Sequence, residues 1–275
     1  MLLKSLVYLC CVAAFICAPS AALATIITTA QGNGMDSSLQ EDYPTCSCGS
    51  SVELEVIRNP GAGSRAFLLR FDLSGWLSGS FSGSATIELT NYRDQGDTHT
   101  VNVYGIPDGT YGDSLSGLDE ASVTWSNAPG LAPDAALGDD EDVDPSSVFL
   151  GGFADGAAEG GVDSFSTAAL LDFLNADTNG LVVLLLSTPS PDSHGQVYAP
   201  KEATSFSYRP PGEFDPGSHA PRLTFTATAV PEPGASALLA LGLLMLGLSR
   251  RRSGGRSHRT AGRWAGRARV SDLSS

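Results

Sequence analysis

The chain has 275 residues, of which 42% are apolar and only 17% are charged. Its formal net charge is −14, but the charge is unevenly distributed. Residues 25–230 hold 7 Lys and Arg against 28 Asp and Glu, a charge of −21, whereas residues 249–275 hold eight Arg. Because nucleic-acid affinity depends on neutralising phosphates, so acidic a body excludes nucleic acid as a partner. The 31 Gly and 16 Pro follow no period, which excludes collagen and favours a turn-rich fold.

Residues 1–24 predict a secretory signal peptide. Lys4 supplies a positive n-region, residues 6–16 form an apolar core, and Ala22 and Ala24 are the small residues of an A-x-A cleavage site. The apolar core is too short for a membrane helix. We therefore expect the protein to be exported, with a mature body that begins at residue 25.

Two cysteines, Cys46 and Cys48, remain after this signal is removed. An oxidising compartment favours a small disulfide between them. A metal site would need two more ligands, and neither another Cys nor clustered His supplies them. Two alternatives stay open, a local bridge or two free thiols.

Alternation of apolar residues with period two predicts β-strands along the body. Val52, Leu54 and Val56 form one such strand, and residues 66–71 and 181–186 are nearly continuous apolar runs that predict central, buried strands. Further strands are predicted at residues 85–90, 100–103 and 223–228, with turns at 59–61, 94–96, 107–109 and 179–180. The pattern predicts an all-β fold, a jelly-roll-like β-sandwich.

One short helix interrupts the strands at residues 168–176, with Ser166 or Thr167 as its N-cap. The helical period places three leucines on one side, Leu170, Leu171 and Leu174. Asn179-Gly180 then predicts a turn into the strand at 181–186.

Two segments of the body carry a family pattern: RAFLLRFDL at residues 65–73 and EASVTWSNAP at residues 120–129. They resemble the R-x-L-L-R-F-D-L strand and the E-x-x-V-T-W-N-x-x-P segment of the DNRLRE-type domain. The other matching segments follow in that family's order, at residues 85–89, 166–184, 201–203 and 220–223. The resemblance covers residues 26–228 and implies a jelly-roll β-sandwich related to alginate-binding carbohydrate-binding modules.

Such modules bind sugars through aromatic faces and hydrogen-bonding side chains. The candidate ligand-binding residues are Tyr92, Tyr104, Tyr111, Arg93, Tyr198 and Lys201. Lys201 also fits a structural ion pair with Glu202, and Trp125 fits a core residue.

Five carboxylates lie within residues 139–144. Because oxygen ligands on a loop suit Ca²⁺, the candidate calcium ligands are Asp139, Asp140, Asp142 and Asp144. The alternative is a solvated acidic loop, since the EF-hand pattern is absent.

Recognisable catalytic motifs are absent from the sequence. It has no G-x-S-x-G, no H-E-x-x-H and no Walker loop, and His99, His194 and His219 lie far apart. We therefore expect no enzymatic activity.

The C-terminal part joins a Pro-Glu-Pro motif, an apolar run and an Arg cluster. The run from residue 234 to 248 rises about 22 Å as a helix, which is shorter than a hydrocarbon core of roughly 30 Å. The motif (Pro231, Glu232, Pro233) and the cluster (Arg250, Arg251, Arg252) around it resemble the PEP-CTERM sorting signal of Gram-negative bacteria. The resemblance implies a transient exosortase partner and an inner-membrane tether through a C-terminal apolar helix, followed by transfer to the cell surface or extracellular matrix.

The expected organisation is a signal peptide at 1–24, a DNRLRE-like domain at 25–229, a sorting segment at 230–252 and a basic disordered tail at 253–275. These features predict an exported, non-catalytic surface or matrix protein that associates with extracellular polysaccharide. Two alternatives stay open. One is an acidic matrix protein bridged by Ca²⁺ without a defined ligand, and the other is a polysaccharide-degrading enzyme.

Overall fold

The structure is a computed structural model. It describes residues 22–76, 81–93, 96, 98–110, 117–134, 136–156, 158–192, 194–207, 212–228 and 242–243. The chain forms two compact units, Met1–Val230 and Pro231–Ser275. The predicted signal peptide before residue 22, Tyr111, the Pro-Glu-Pro motif, the Arg cluster and the basic tail lie outside the described residues, as does the predicted C-terminal helix except for residues 242–243.

The described part of the first unit contains eleven strands and one helix. The elements are β1 (Ala22–Thr28), β2 (Met35–Gln40), β3 (Leu54–Asn59), β4 (Gly63–Asp72), β5 (Phe81–Arg93), β6 (Thr100–Ile106), β7 (Val148–Ala154), β8 (Val162–Phe165), α1 (Ala168–Ala176), β9 (Leu181–Ser187), β10 (Gln196–Tyr198) and β11 (Arg222–Thr228). Among these residues, no helix is long and apolar enough to cross a bilayer.

The strands form two antiparallel layers that share one short strand. Strands β1, β11, β5 and β8 make one layer, and β2, β3, β4, β9, β6 and β7 make the other. Strand β10 pairs with β3 of one layer and with β5 of the other, which joins the layers along one side. The predicted all-β, sandwich-like architecture with one short helix is therefore confirmed.

The main core lies between the two layers and follows the two-residue period of the strands. Phe67 and Leu69 of β4 and Leu184 of β9 face Ile87 of β5 and Phe225 of β11, all of them buried. Each large apolar side chain that is buried in this way contributes about 1.5–3 kcal/mol relative to exposure. The alternate positions of the strands therefore hold the sandwich together.

A second core covers the outer face of β4 and β9. Leu68, Val183 and Leu185 pack there against Val123 and Trp125 of the long connection between β6 and β7. Both faces of these two strands are thus buried, which explains why their sequences are almost continuously apolar. We call the part of the connection at residues 117–147 the covering loop.

Helix α1 begins after Thr167, whose Oγ1 accepts the Leu170 N–H at 3.1 Å. Leu170 and Leu174 are buried one turn apart, while Leu171 is partly buried. The chain then turns at Gly180, which has a φ of 77° and lies so close to Ser74 that a Cβ would approach its Cα to 2.9 Å. Only glycine combines this backbone conformation with this contact. The predicted helix is confirmed, with Thr167 rather than Ser166 as its cap.

Two local predictions are decided by the structure. Cys46 and Cys48 form a disulfide, so the local bridge is the alternative that the structure contains. The prediction of a strand from Val52 is wrong at its first residues, because β3 begins at Leu54 and Val52 is 53% exposed. The other predicted strands at 66–71, 85–90, 100–103, 181–186 and 223–228 are confirmed as parts of β4, β5, β6, β9 and β11.

Candidate functional site

A polar groove of about 380 Å³ lies beside β3, β4 and β10. Its polar lining residues are Asp42, Glu55, Asn59, Arg65, Arg93 and His194. Strands β3 and β4 pair antiparallel through Ile57 and Arg65, and β10 pairs with β3, so the groove is built on the junction between the layers. It contains two of the seven cationic side chains of residues 25–230.

Charges in the polar groove are paired rather than isolated. The Arg65 guanidinium bonds the Glu55 carboxylate, and Arg93 Nη2 lies 3.8 Å from Glu53 Oε2 and 4.0 Å from Glu55 Oε1. Burial alone would lower the pKa of Arg65, but the neighbouring carboxylates Glu55, Asp42 and Glu53 outweigh it and raise that pKa. Arg93 Nε is buried and has no hydrogen-bond acceptor. The groove thus offers fixed donors and acceptors with little net charge.

Two of the predicted tyrosines are part of hydrophobic clusters. Tyr198 is fully buried, its ring lies edge-on to Phe67 at 6.0 Å, and its hydroxyl donates to Asp163 Oδ2 at 3.2 Å. Tyr92 is 7% exposed and belongs to a small cluster with Val197. A sugar ring cannot stack on either face of Tyr198 without opening the core, so we leave it out of the proposed ligand-binding set.

Tyr104 anchors the covering loop to the sheet. Its hydroxyl donates to Glu141 Oε2 at 2.7 Å, and Asn102 and Ser187 also donate to that carboxylate, at 3.0 and 2.7 Å. Its ring packs against Phe149 with the ring centroids 5.4 Å apart. Burial, followed by the hydrogen bond to Glu141, raises the pKa of Tyr104. Of the predicted ligand-binding residues in the described part of the chain, only Arg93 lies in the polar groove.

Lys201 lies in a carboxylate–lysine cluster that we define as Asp36, Glu120, Lys201 and Glu202. Its ammonium bonds Glu120 and lies 3.7 Å from Glu202 Oε1, while its backbone N–H donates to Asp36 Oδ2 at 3.2 Å. Asp36 comes from β2, Glu120 from the covering loop, and the other two from the turn after β10. The ion pair of Lys201 with Glu202, the alternative to a ligand-binding role for Lys201, is therefore present, with Glu120 as a further partner.

The carboxylates of this cluster are hard to ionise together. Burial raises the pKa of Asp36 to about 6, against the opposing effects of Thr29 and Lys201. Burial, followed by the charges of Asp36 and Glu120, raises the pKa of Glu202 to about 7. Glu120 Oε1 and Glu202 Oε2 are buried without hydrogen-bond donors. Within the described ranges, Asp36, Glu120 and Glu202 are also the one group of three potential metal ligands whose atoms lie within 4.8 Å of one another.

Residues 139–144 are held by backbone and turn interactions. The Asp139 carbonyl accepts from Arg58, the Asp142 N–H donates to Asp140 Oδ1 at 2.7 Å, and the Ser146 N–H donates to Asp144 Oδ1 at 2.7 Å. Burial, followed by the charges of Glu41 and Asp140, raises the pKa of Asp142 to about 6. The structure does not gather three of these carboxylates at ligand distance. Calcium binding by this loop stays a prediction.

A buried histidine is a further feature that the sequence did not reveal. His99 lies between two carboxylates, with Nδ1 3.4 Å from Asp155 Oδ2 and Nε2 3.4 Å from Asp192 Oδ2. Asp155 also accepts the His99 N–H at 2.5 Å. The three residues are far apart in sequence and share no motif, so only the fold brings them together. The polar groove was missed for the same reason.

The comparisons with known proteins add no assignment. No family model matches the chain, and no curated protein matches it. The resemblances to the DNRLRE-type domain and to the PEP-CTERM signal therefore stay predictions.

Proposed function

We propose that this chain is an exported, non-catalytic surface or matrix protein that binds extracellular polysaccharide in the polar groove. The observation that carries the proposal is the convergence of Arg65 and Arg93 with Asp42 and Glu55 in one open groove of a β-sandwich. Neighbouring sugar hydroxyls both donate and accept hydrogen bonds, and planar guanidinium and carboxylate groups match them in pairs. A volume of about 380 Å³ lies within the range of roughly 300–1,000 Å³ that is typical of small-molecule sites.

The charge of the groove favours a neutral glycan. The two guanidinium groups are balanced by two carboxylates, and the body around them carries −21. A polyanion such as alginate would be repelled by this field before it reached the groove. We therefore assign a hydroxyl-rich polymer of low charge as the ligand class.

Export and sorting complete the proposal. Cleavage after Ala24 would remove Ala22–Ala24 from β1 and leave Thr25–Thr28 paired with β11 through Thr25↔Phe225 and its neighbours. The four pairs that remain support a mature chain that begins at residue 25. The Pro-Glu-Pro motif and the Arg cluster then support processing by an exosortase at the inner membrane.

A binding experiment with matched variants tests the groove. Calorimetry of the protein with neutral and uronate polysaccharides, with and without Ca²⁺, is expected to show binding to a neutral polymer. Arg93→Gln removes a groove charge, and we expect it to weaken binding by roughly tenfold, the value of a lost charge-assisted hydrogen bond. Arg222→Gln changes an exposed arginine outside the polar groove and is expected to bind as the wild type does. Equal loss in both variants, or no binding to any polymer, would refute the groove assignment.

Mass spectrometry of the native protein tests the sorting. We expect an N-terminus at Thr25 and a C-terminus near the Pro-Glu-Pro motif. Recovery of a chain that still ends at Ser275 from the cell surface would contradict processing.

A further inference from the structure

A second groove, of about 580 Å³, lies between α1 and the strands β6, β7 and β9. We call it the helix groove. Its apolar lining includes Ile106, Pro107, Val148, Ala169, Phe173 and Leu181. Val148 is 44% exposed although it is aliphatic, and Phe173 is only partly buried. The helix groove shares no lining residue with the polar groove and is independent of the proposed sugar site.

The charges around the helix groove have one sign. Asp108, Asp172 and Asp177 line it, and no Lys or Arg is among its lining residues in the described part of the chain. Asp108 accepts hydrogen bonds from the Thr178 N–H and the Asn179 amide, and Asp177 accepts from the Gly180 N–H at 2.8 Å. These bonds hold both carboxylates at the rim. Asp172 is exposed on the helix.

This arrangement is locally unfavourable for the isolated chain. Asp177 is the C-cap of α1, and the last turn of the helix contains no basic residue. The C-terminal end of a helix carries partial negative charge and is stabilised by cations rather than by carboxylates. Burial raises the pKa of Asp177 to about 6, and the neighbouring charge of Asp108 adds to this shift. A cation at this rim would relieve the repulsion.

We propose that the helix groove is a docking site for a basic segment of a partner protein that inserts one large apolar side chain between α1 and β9. The apolar floor accepts the side chain, and the three aspartates and the helix C-terminus pair with Lys or Arg beside it. Charge complementarity selects this occupant, because a neutral apolar segment would leave the carboxylates without counter-charge and an acidic one would be repelled. The partner thus combines an aromatic or aliphatic anchor with flanking positive charge.

The test uses the full-length protein and a fluorescein-labelled peptide, GSRWRGS, in which Trp lies between two Arg. Fluorescence polarisation at low salt is expected to show saturable binding. Peptides GSEWEGS and GSRGRGS lack the positive charge and the apolar anchor respectively, and each is expected to bind at least about tenfold more weakly. Binding of GSRGRGS as tight as that of GSRWRGS would overturn the proposed role of the apolar floor.

Matched protein variants separate local from overall charge. The triple variant Asp108→Asn, Asp172→Asn and Asp177→Asn keeps one acceptor oxygen on each side chain and is expected to weaken peptide binding by roughly fivefold or more. The control triple variant Asp134→Asn, Glu213→Gln and Asp215→Asn removes the same charge from residues that do not line the groove. We expect it to bind within about twofold of the wild type. Equal weakening by both triple variants would overturn the proposal, since binding would then follow net charge alone.

Two further measurements exclude an effect through unfolding. The triple variant of Asp108, Asp172 and Asp177 removes like-charge repulsion at the helix groove, so its melting temperature is expected to equal or exceed that of the wild type. Ala176→Leu places a larger side chain at an exposed position on the groove lining and is expected to abolish binding without lowering stability. Full binding by Ala176→Leu would show that the peptide occupies another surface and would refute the assignment.

Discussion

At the scale of single residues, the carboxylate–lysine cluster is the clearest case of competing effects. Lys201 compensates one carboxylate, but Asp36, Glu120 and Glu202 bring three. Asp36 is only 1% exposed, so water does not solvate its carboxylate. Burial therefore raises the free energy of ionising this side chain. The cluster therefore holds bound protons at a pH where the unfolded chain has lost them.

Replacing Glu202 by Gln should flatten the pH dependence of stability. The folded-state pKa values of Asp36 and Glu202, about 6 and about 7, lie above the ordinary values of 3.8 and 4.5. Between these limits the folded chain thus binds more protons than the unfolded chain. The contribution of these two groups to the free energy of unfolding is therefore greatest below about pH 4 and falls as the pH rises through 7. We expect Glu202→Gln to reduce this fall by about 1–2 kcal/mol.

Urea denaturation of the wild type and of Glu202→Gln, at several pH values between about 4 and 7, measures this effect. Glu213→Gln, at an exposed carboxyl outside the cluster, is the control and should keep the wild-type slope. An unchanged slope in Glu202→Gln would show that the cluster does not hold the proton.

At the scale of elements, one hydroxyl both caps α1 and bonds it to the sheet. Thr167 Oγ1 accepts the Leu170 N–H and also lies 3.0 Å from the Leu150 carbonyl of β7, to which it donates. The same side chain thus begins the helix and ties it to the neighbouring strand. A short helix of nine residues has little stability of its own, so its position depends on such contacts.

Thr167→Ala should destabilise the protein by about 1–2 kcal/mol, the usual cost of losing an N-cap. Thr167→Ser keeps the hydroxyl and is expected to retain most of the stability. Chemical denaturation followed by circular dichroism measures both. A loss as large in the Ser variant as in the Ala variant would mean that the methyl group, and not the hydroxyl, carries the effect.

Packing of α1 on β6 depends on Gly105, where a side chain would collide with the helix. A Cβ on Gly105 would approach the Phe173 ring to 2.6 Å. Gly105→Ala is therefore expected to cost about 1–3 kcal/mol, the range for overpacking. In the double variant with Phe173→Leu, the cost of Gly105→Ala should be smaller, and a double-mutant cycle measures the difference. Strict additivity of the two changes would contradict the contact.

The strands differ in how well they can be predicted from their local sequences. Strands β4 and β9 are long apolar runs, and α1 has a cap and a helical period, so all three follow from local sequence. Strand β2 reads MDSSLQ and is nevertheless buried at five of its six positions. Asp36 accepts hydrogen bonds from the Thr29 hydroxyl and the Lys201 N–H, and the Ser38 hydroxyl donates to the Glu53 carbonyl, so these buried polar groups have distant partners that no local pattern can show. Strand β10 has three residues and is recognisable only by its pairing partners.

At the scale of the whole molecule, the charge distribution dominates the solution behaviour. Residues 25–230 carry −21, and the full chain carries −14. Such an excess destabilises the compact state through self-repulsion, although it keeps the protein soluble. Burial is the main cause of the raised pKa values of Asp142 and Asp177, and neighbouring carboxylates add to both shifts.

Added NaCl should therefore stabilise the protein at neutral pH. Screening reduces the repulsion between exposed carboxylates, and we expect the melting temperature to rise by about 2–6 °C between low salt and high salt. The same titration at pH 4 is the control, because partial protonation of the carboxylates leaves less repulsion to screen. A melting temperature that is constant or falls with salt at neutral pH would refute this account.

The sequence by itself determined the all-β class, helix α1 and the main buried strands, because a two-residue or 3.6-residue period is a local property. The choice of Arg93 as a ligand-binding residue stays a prediction, whereas the ion pair of Lys201 with Glu202, which the sequence offered as an alternative, is present. Only the tertiary structure decided which distant residues meet. Glu55, Arg65 and His194 reach one groove through the pairing of β3 with β4 and β10, and Asp36 and Glu120 reach Lys201 across the fold. These sites depend on distances between different segments of the chain, and such distances are set by strand pairing and not by local pattern.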